Sequence, residues 1–220
     1  MDRHAYFDTV LLSTAYLPPV EYFAAMANAS LTLMEGEEMY QKQSYRTRCR
    51  IISGNGILVL TVPVLRKEGV HKCPIKEVRI DYSKPWLLQH KRALEAAYMS
   101  SPFFEYYADD LFPILDKKEK FLVDLNLLLI RKITELIGIK ENIQFTRDFF
   151  NPADLPAGGS ITDLREAIHP KNTGENLLQR LGKEKPYYQV FTNKQGFVPN
   201  LSILDLLCNE GPNSISFLKI

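Results

Sequence analysis

The chain has 220 residues, 45% of them apolar and 24% charged, which fits one domain burying roughly 70% of its unfolded surface and excludes disordered, collagen-like and coiled-coil proteins. Lys and Arg number 27 against 26 Asp and Glu, a formal charge of +1; no global field recruits nucleic acid or an anionic membrane, so any anion site must be local. No apolar run reaches the about 18 residues a bilayer span needs, the opening Met-Asp-Arg-His lacks a secretory layout, and Cys49, Cys73 and Cys208 lack disulfide or metal-ligand spacing, so the expectation is a cytoplasmic protein with reduced thiols, no metal and no cofactor.

Residues 9–16 are apolar and β-rich, and Pro18 and Pro19 then precede Val20, Tyr22, Phe23 and Met26 at helical spacing. The pattern predicts strand, turn, helix. A second strand follows at 31–34, and Glu35, Glu37 and Glu38 around Gly36 mark its exit loop. Strand-like stretches at 45–52 and 57–64 flank Ser-Gly-Asn-Gly at 53–56, a hairpin signal. A short strand is expected at 78–81, then a helix capped by Ser83 with Pro85 in its first turn, ending near Met99. Phe121 to Ile137 is the clearest helix, with Leu122, Leu125, Leu129 and Ile133 on one face and Gly138 as its stop. It is apolar nearly all round, which favours a sheet covered by helices.

Residues 142–146 read as another strand. From 147 to 186 the composition turns to Pro, Gly, Asn, Asp and Lys, which marks an insertion, a lid or a small subdomain. The tail regains apolar character and forms a short helix at 201–207. The expected fold is α/β: a mixed central sheet built from the first two strands and the hairpin, with helices packed on it and the Pro/Gly-rich, lid-like insertion over one edge. The whole chain, 1–220, is read as one domain.

No phosphate-cradling loop, dinucleotide glycine fingerprint, zinc-protease His pair or nucleophile elbow is present. The residues that stand out are subtler. Arg46, Arg48 and Arg50 alternate with Tyr45, Thr47, Cys49 and Ile51, so an extended strand would project three forked donors from one face, suited to phosphate or carboxylate; a strand face turned to water or to the acidic loop at Glu35 to Glu38 explains them equally. Trp86 and His90, four apart, share a helical face that could meet a sugar or an anion, although a structural hydrogen bond also explains the imidazole. His71 with Lys72 sits in a polar loop. Tyr16 lies where the first strand ends, the edge at which open α/β sheets gather ligands. Phe103, Phe104, Tyr106 and Tyr107 form an aromatic cluster suited to core or interface, with Glu105 inside it. Asn200 or Ser202 as N-cap, and Asp205 in the first turn of the helix behind it, need no function to explain them.

Together these segments resemble the WbqC-like protein family. The resemblance is carried by YLPPVEYF at 16–23, KQSYRTR at 42–48, LTVPV at 60–64, WLLQH at 86–90, YMSSPFFEYY at 98–107, the Leu-rich helix with Asn126, and GFVPNLSILDLLCNEGP at 196–212. It selects Tyr16, Pro18, Lys42, Tyr45, Arg46, Arg48, Trp86, His90, Tyr98, Glu105, Asn200, Ser202 and Asp205. Many members approach the first turn through Gln-Pro-Asn or Gln-Pro-His, where this chain has Ser13, Thr14 and Ala15. The resemblance implies a bacterial protein of O-antigen or other surface polysaccharide biosynthesis, a transferase moving an acyl, aminoacyl or sugar-phosphate group. In that reading His90 is the general base, Glu105 or Asp205 orients the acceptor, and Trp86 stacks on the sugar. Tyr16, Lys42, Tyr45, Arg46, Arg48, Asn200 and Ser202 surround a small-molecule substrate such as a nucleotide sugar or acyl donor. The alternative is a non-catalytic binding or scaffold protein whose partner surface surrounds the Phe103–Tyr107 cluster.

Overall fold

The computed structural model describes residues 5–65, 73–140, 142–151 and 160–220; the polar loop with His71 and Lys72 lies outside them. The chain opens with β1 (Phe7–Ser13), α1 (Val20–Ala27) and β2 (Ala29–Glu35). Val10, Leu11 and Leu12 are buried without alternation, as a strand covered on both faces requires. β1 and β2 pair in parallel from Phe7 opposite Ala29 to Ser13 opposite Glu35, so their carboxyl ends finish level.

Two short strands complete the sheet. β5 (Ile143–Phe145) runs parallel to β2, and β6 (Ile161–Asp163) parallel to β1, giving the order β5-β2-β1-β6. From β1 the chain winds one way, to β2 and then β5, while β6 returns on the other side. The gap between β1 and β6 is therefore a topological switch point, where two connections diverge and leave a crevice beyond the strand ends. β6 lies within the 147–186 insertion at the sheet edge, and Leu164, Ile168, Leu177 and Leu178 of that segment are buried.

The hairpin forms as expected, β3 (Arg48–Ser53) and β4 (Gly56–Thr61) closing over Gly54-Asn55, with Gly56 at φ +105, a backbone conformation that disfavours other residues. It stands as a separate two-stranded sheet rather than joining the central one. β6 and β5 already occupy the flanks of β1 and β2, and β3 packs instead on α2 (Trp86–Tyr98) and α7 (Ile203–Glu210). Residues 78–81 make isolated bridges, Ile80 with Val64 and Arg79 with Phe121, and extend neither sheet. α2 begins directly after Pro85 without a side-chain cap; the Ser83 N–H donates instead to Asp81.

α3 (Phe104–Asp116) turns the aromatic cluster into a helix. Phe104, Tyr107, Leu111 and Leu115 face the core, while Tyr106 is exposed. α4 (Leu122–Ile137) buries Leu122, Leu125, Leu129 and Ile133, and Gly138 ends it in the left-handed conformation, φ 78. α5 (Leu177–Arg180), α6 (Thr192–Gln195), α7 and α8 (Ser214–Leu218) finish the chain. α5, α7 and α8 pack on α1.

Candidate functional site

At the carboxyl edge of the sheet the strands end in charged side chains that fold inward. Glu35, at the end of β2, is fully buried and accepts from Thr146 Oγ1 (2.7 Å), the Glu37 and Phe150 backbone N–H groups (both 2.9 Å) and Arg165 Nη1 (3.0 Å). Arg165, two residues past β6, also donates to both carboxylate oxygens of Asp163 and to the Phe150 carbonyl. The exit loop of β2 carries Glu38, also buried. Its carboxylate takes the Nε (2.8 Å) and Nη2 hydrogens of Arg46 and the Ser13 hydroxyl (3.0 Å), while Arg46 Nη2 donates to Ser13 Oγ (2.8 Å). These buried charges persist because each has an opposite partner and nearly filled hydrogen-bond capacity.

Arg46 lies in the turn before β3, so Arg46, Arg48 and Arg50 do not form one row: Arg46 turns inward to Glu38, and Arg48 and Arg50 stay half-buried. Asn126 of α4 fixes that turn, donating to the Arg46 carbonyl at 2.9 Å and to Thr14 Oγ1 at 3.4 Å. Ser13, Thr14, Ala15, Tyr45, Arg46 and Arg165 line a crevice of about 10 Å³, the space of one water. Ser13 thus supplies a hydroxyl to the charge network at the carboxyl end of β1. His169 follows Ile168, a lining residue of the crevice, and is half-buried. Burial is the main cause that lowers its basicity; the charge of Glu166 opposes it, and those of Arg46, Lys171 and Arg48 add to it.

A second cluster lies behind the first turn. Trp86 and His90 share a buried face of α2, ring centroids 5.0 Å apart, and Tyr16 Oη sits 3.0 Å from His90 Nδ1. His90 also bonds the Thr61 backbone, yet burial holds its pKa down at about 4. The neutral ring has one donor and one acceptor; with its N–H on the Thr61 carbonyl, Nδ1 accepts the Tyr16 proton. Both groups are sealed from solvent, Tyr16 completely.

The tail stitches the same turn. Leu17 has φ 44, a left-handed conformation costly for a branched residue. Ser202 Oγ donates to the Leu17 carbonyl (2.9 Å), the Val20 N–H to the Leu201 carbonyl (3.0 Å), the Ile203 N–H to the Pro18 carbonyl (2.8 Å) and the Ser202 N–H to the Arg50 carbonyl (2.7 Å). Asn200 accepts the Glu21 N–H and donates to its carboxylate, and Ser202 is the N-cap of α7. Asp205, fully buried, accepts from Tyr187 Oη (2.8 Å) and Gln189 Nε2 (2.7 Å), and desolvation lifts its pKa to about 6.

The sequence candidates therefore separate. Tyr45 and Arg46 line the crevice with Ser13 and Thr14, and Arg48, the first residue of β3, is half-buried. Tyr16, Trp86 and His90 form a closed aromatic group. Asn200, Ser202 and Asp205 brace the tail, while Lys42 and Glu105 are solvent-exposed. Sequence reasoning missed Asp163, Arg165 and His169. The acidic run after β2 was legible as a loop that the arginine strand could face, and Arg46 does pair with Glu38; nothing in the spacing marked Glu35 as the partner of an arginine 130 residues away. Among the described residues no group of three His, Cys, Asp or Glu is placed to hold a metal, and no helix is long and apolar enough to cross a membrane.

Comparison with known proteins follows the same lines. The chain is 27% identical to the uncharacterized protein Rv1507c of Mycobacterium tuberculosis, over 95% of this chain and 96% of that one. No solved structure matches. The WbqC-like protein family model matches residues 14–173, most of the chain, and the chain belongs to that family.

Proposed function

We propose that this WbqC-like protein is a cytoplasmic group-transfer enzyme that passes an acyl, aminoacyl or sugar-phosphate group to a saccharide precursor in bacterial surface polysaccharide biosynthesis or modification. One observation carries the proposal: the crevice at the β1/β6 switch point, the place where open α/β sheets bind ligands, is lined by Ser13, Thr14 and two arginines whose buried carboxylate partners hold them fixed. Their charge is already matched by Glu35, Glu38 and Asp163, so what the crevice offers a donor is the remaining guanidinium N–H groups and the Ser13 and Thr14 hydroxyls, held in fixed orientation at little reorganisation cost. The whole chain acts as one domain, with β6 and Arg165 bordering the crevice. His90 and Asp205 are positioning residues in this scheme. Tyr16 and His90 hold the first turn from below, and Asp205 anchors the helix that follows the tail stitch.

The test is a thermal-shift screen of the full chain against nucleotide sugars, aminoacyl donors and phosphate esters, followed by mass spectrometry of saccharide acceptors. A donor-specific shift and a mass increase on the acceptor are expected, both lost in Ser13→Ala and Arg46→Lys. No shift with any donor, or transfer unaffected by both variants, refutes the proposal.

A binding or scaffold role is the second reading, favoured by a different surface from the aromatic cluster. Ile57, Leu58 and Val59 of β4 are 45%, 39% and 47% exposed in succession, whereas Phe104 and Tyr107 are buried. Sedimentation showing a stable assembly that Leu58→Lys dissolves, with no ligand shift, selects this reading.

A further inference from the structure

Ser13 sits where three interactions meet. Its hydroxyl donates to Glu38 Oε2 at 3.0 Å and accepts from Arg46 Nη2 at 2.8 Å, while Arg46 Nε donates to Glu38 Oε1 at 2.8 Å. A hydroxyl has one proton and two lone pairs, so one lone pair of Ser13 Oγ is left, and Ser13 lines the crevice at the β1/β6 switch point. The proton is already directed at a carboxylate. Its passage from Ser13 to Glu38 creates no net charge, because the three groups sum to zero before and after, and Arg46 Nη2 donates to both atoms between which it moves.

The surroundings select the electrophile. Glu35, Glu38 and Asp163 set three carboxylates against the two guanidinium groups of Arg46 and Arg165, so this cluster has an excess of negative charge. A phosphoryl group would add to that excess, whereas an acyl carbonyl is uncharged. The crevice has about 10 Å³, room for one water-sized group, so it takes a carbonyl oxygen while the rest of a donor stays outside. Two of its lining residues keep a hydrogen for that oxygen. The Thr14 hydroxyl accepts from Asn126 at 3.4 Å and donates to nothing among the described residues, and Arg165 Nη1 spends one hydrogen on Glu35 and keeps the other.

We propose that Ser13 is a nucleophile with Glu38 as its general base, and that an acyl group is transferred through a Ser13 ester. In the first half Ser13 Oγ bonds to the acyl carbon as its proton passes to Glu38, and the bond from that carbon to the leaving group breaks as Glu38 hands the proton on to the leaving atom. In the second half an acceptor hydroxyl gives its proton to Glu38 and bonds to the same carbon, and the ester bond breaks as Ser13 Oγ takes the proton back. Arg46 is the positioning residue. The passage to a saccharide rests on the reading above; the nucleophile does not.

The experiment treats the full chain with p-nitrophenyl acetate and reads p-nitrophenolate release, intact mass and a peptide map. A burst matching the enzyme concentration is expected, with an acetyl group on Ser13 that hydroxylamine releases, as it does an ester. Ser13→Ala should abolish both, Ser13→Cys should restore an adduct as a thioester, and Glu38→Gln should slow acetylation by about 100-fold or more; melting curves report the fold of each variant. Acetyl phosphate then offers both electrophiles to one serine, and the acetyl adduct, not the phosphoryl one, should form. No adduct on Ser13, a phosphoryl adduct, or a rate unchanged in folded Glu38→Gln overturns the proposal. A Ser13 adduct that no saccharide relieves leaves the nucleophile standing and removes the transferase, whereas saccharide transfer that proceeds without any adduct does the reverse.

Discussion

Asp205 and His90 make opposite demands on the pH dependence of stability, and replacing one should expose the other. Burial raises the Asp205 carboxyl from 3.8 to about 6. The folded state then holds the proton more tightly than the unfolded one, so this group adds stability below pH 4 and loses it as pH rises through 6. Burial lowers His90 from 6.5 to about 4. That group adds stability above 6.5 and loses it as pH falls through 4. Each shift is a little over two units, or about 3 kcal/mol, and the windows overlap. The wild-type profile should therefore be nearly level between about pH 4 and 6.5, with Glu21, which burial raises, and His169, which burial lowers, adding slopes of opposite sign. In Asp205→Asn the amide oxygen still accepts from Tyr187 and Gln189, and the opposing slope is gone. Urea unfolding followed by circular dichroism should then show stability climbing by about 3 kcal/mol across the window. His90→Gln, which keeps an acceptor for Tyr16, should show the mirror-image fall. Parallel profiles for all three proteins would refute the reasoning, because neither buried group would then be linked to folding.

Arg165→Ala leaves Glu35 buried without its counter-ion and should cost about 3 to 5 kcal/mol, read as a lowered urea midpoint; Glu35→Gln in the same chain should restore part of it. Gly211→Ala should destabilise by about 1 to 3 kcal/mol, because an added Cβ would lie 2.7 Å from the Phe103 ring and the backbone there has φ +56; an unchanged melting temperature would show that the ring moves freely. Burial pushes the Cys49 and Cys208 thiols well up, and Cys73 is half-buried, so a disulfide reagent should modify Cys73 first, with the other two reacting only on unfolding.

The elements whose period matches their burial were legible in the sequence. α4 shows its core face and its glycine stop in plain spacing, and the Ser-Gly-Asn-Gly turn fixes the hairpin register. What escaped were features set by partners distant in sequence. β6 has three residues beside a Gly-rich stretch and becomes a strand because β1 offers it a free edge. α3 was hidden because Pro113 and a dense aromatic run obscure a helical period of Phe104, Tyr107, Leu111 and Leu115. The arginine row failed for a related reason: alternation predicts one face only where the strand has begun, and Arg46 precedes it in a turn that Glu38 draws inward. Charge pairing between Glu35 and Arg165 leaves no local pattern at all.

The stitch between residues 200–203 and the Leu17–Pro19 turn bears on how the molecule is made. Ser202 bonds the carbonyl of Leu17 in its unfavourable backbone conformation, and residues 200–203 leave the ribosome some 180 positions after it, roughly ten to forty seconds later at ordinary elongation rates. Throughout that interval β1 and α1 are finished as sequence while the turn between them stays unlocked, with the apolar face of α1 awaiting α7 and α8. The nascent chain thus passes through a long stage open to chaperones and proteases. Slowing translation over the last stretch should lower the yield of folded protein far more than slowing it over the hairpin.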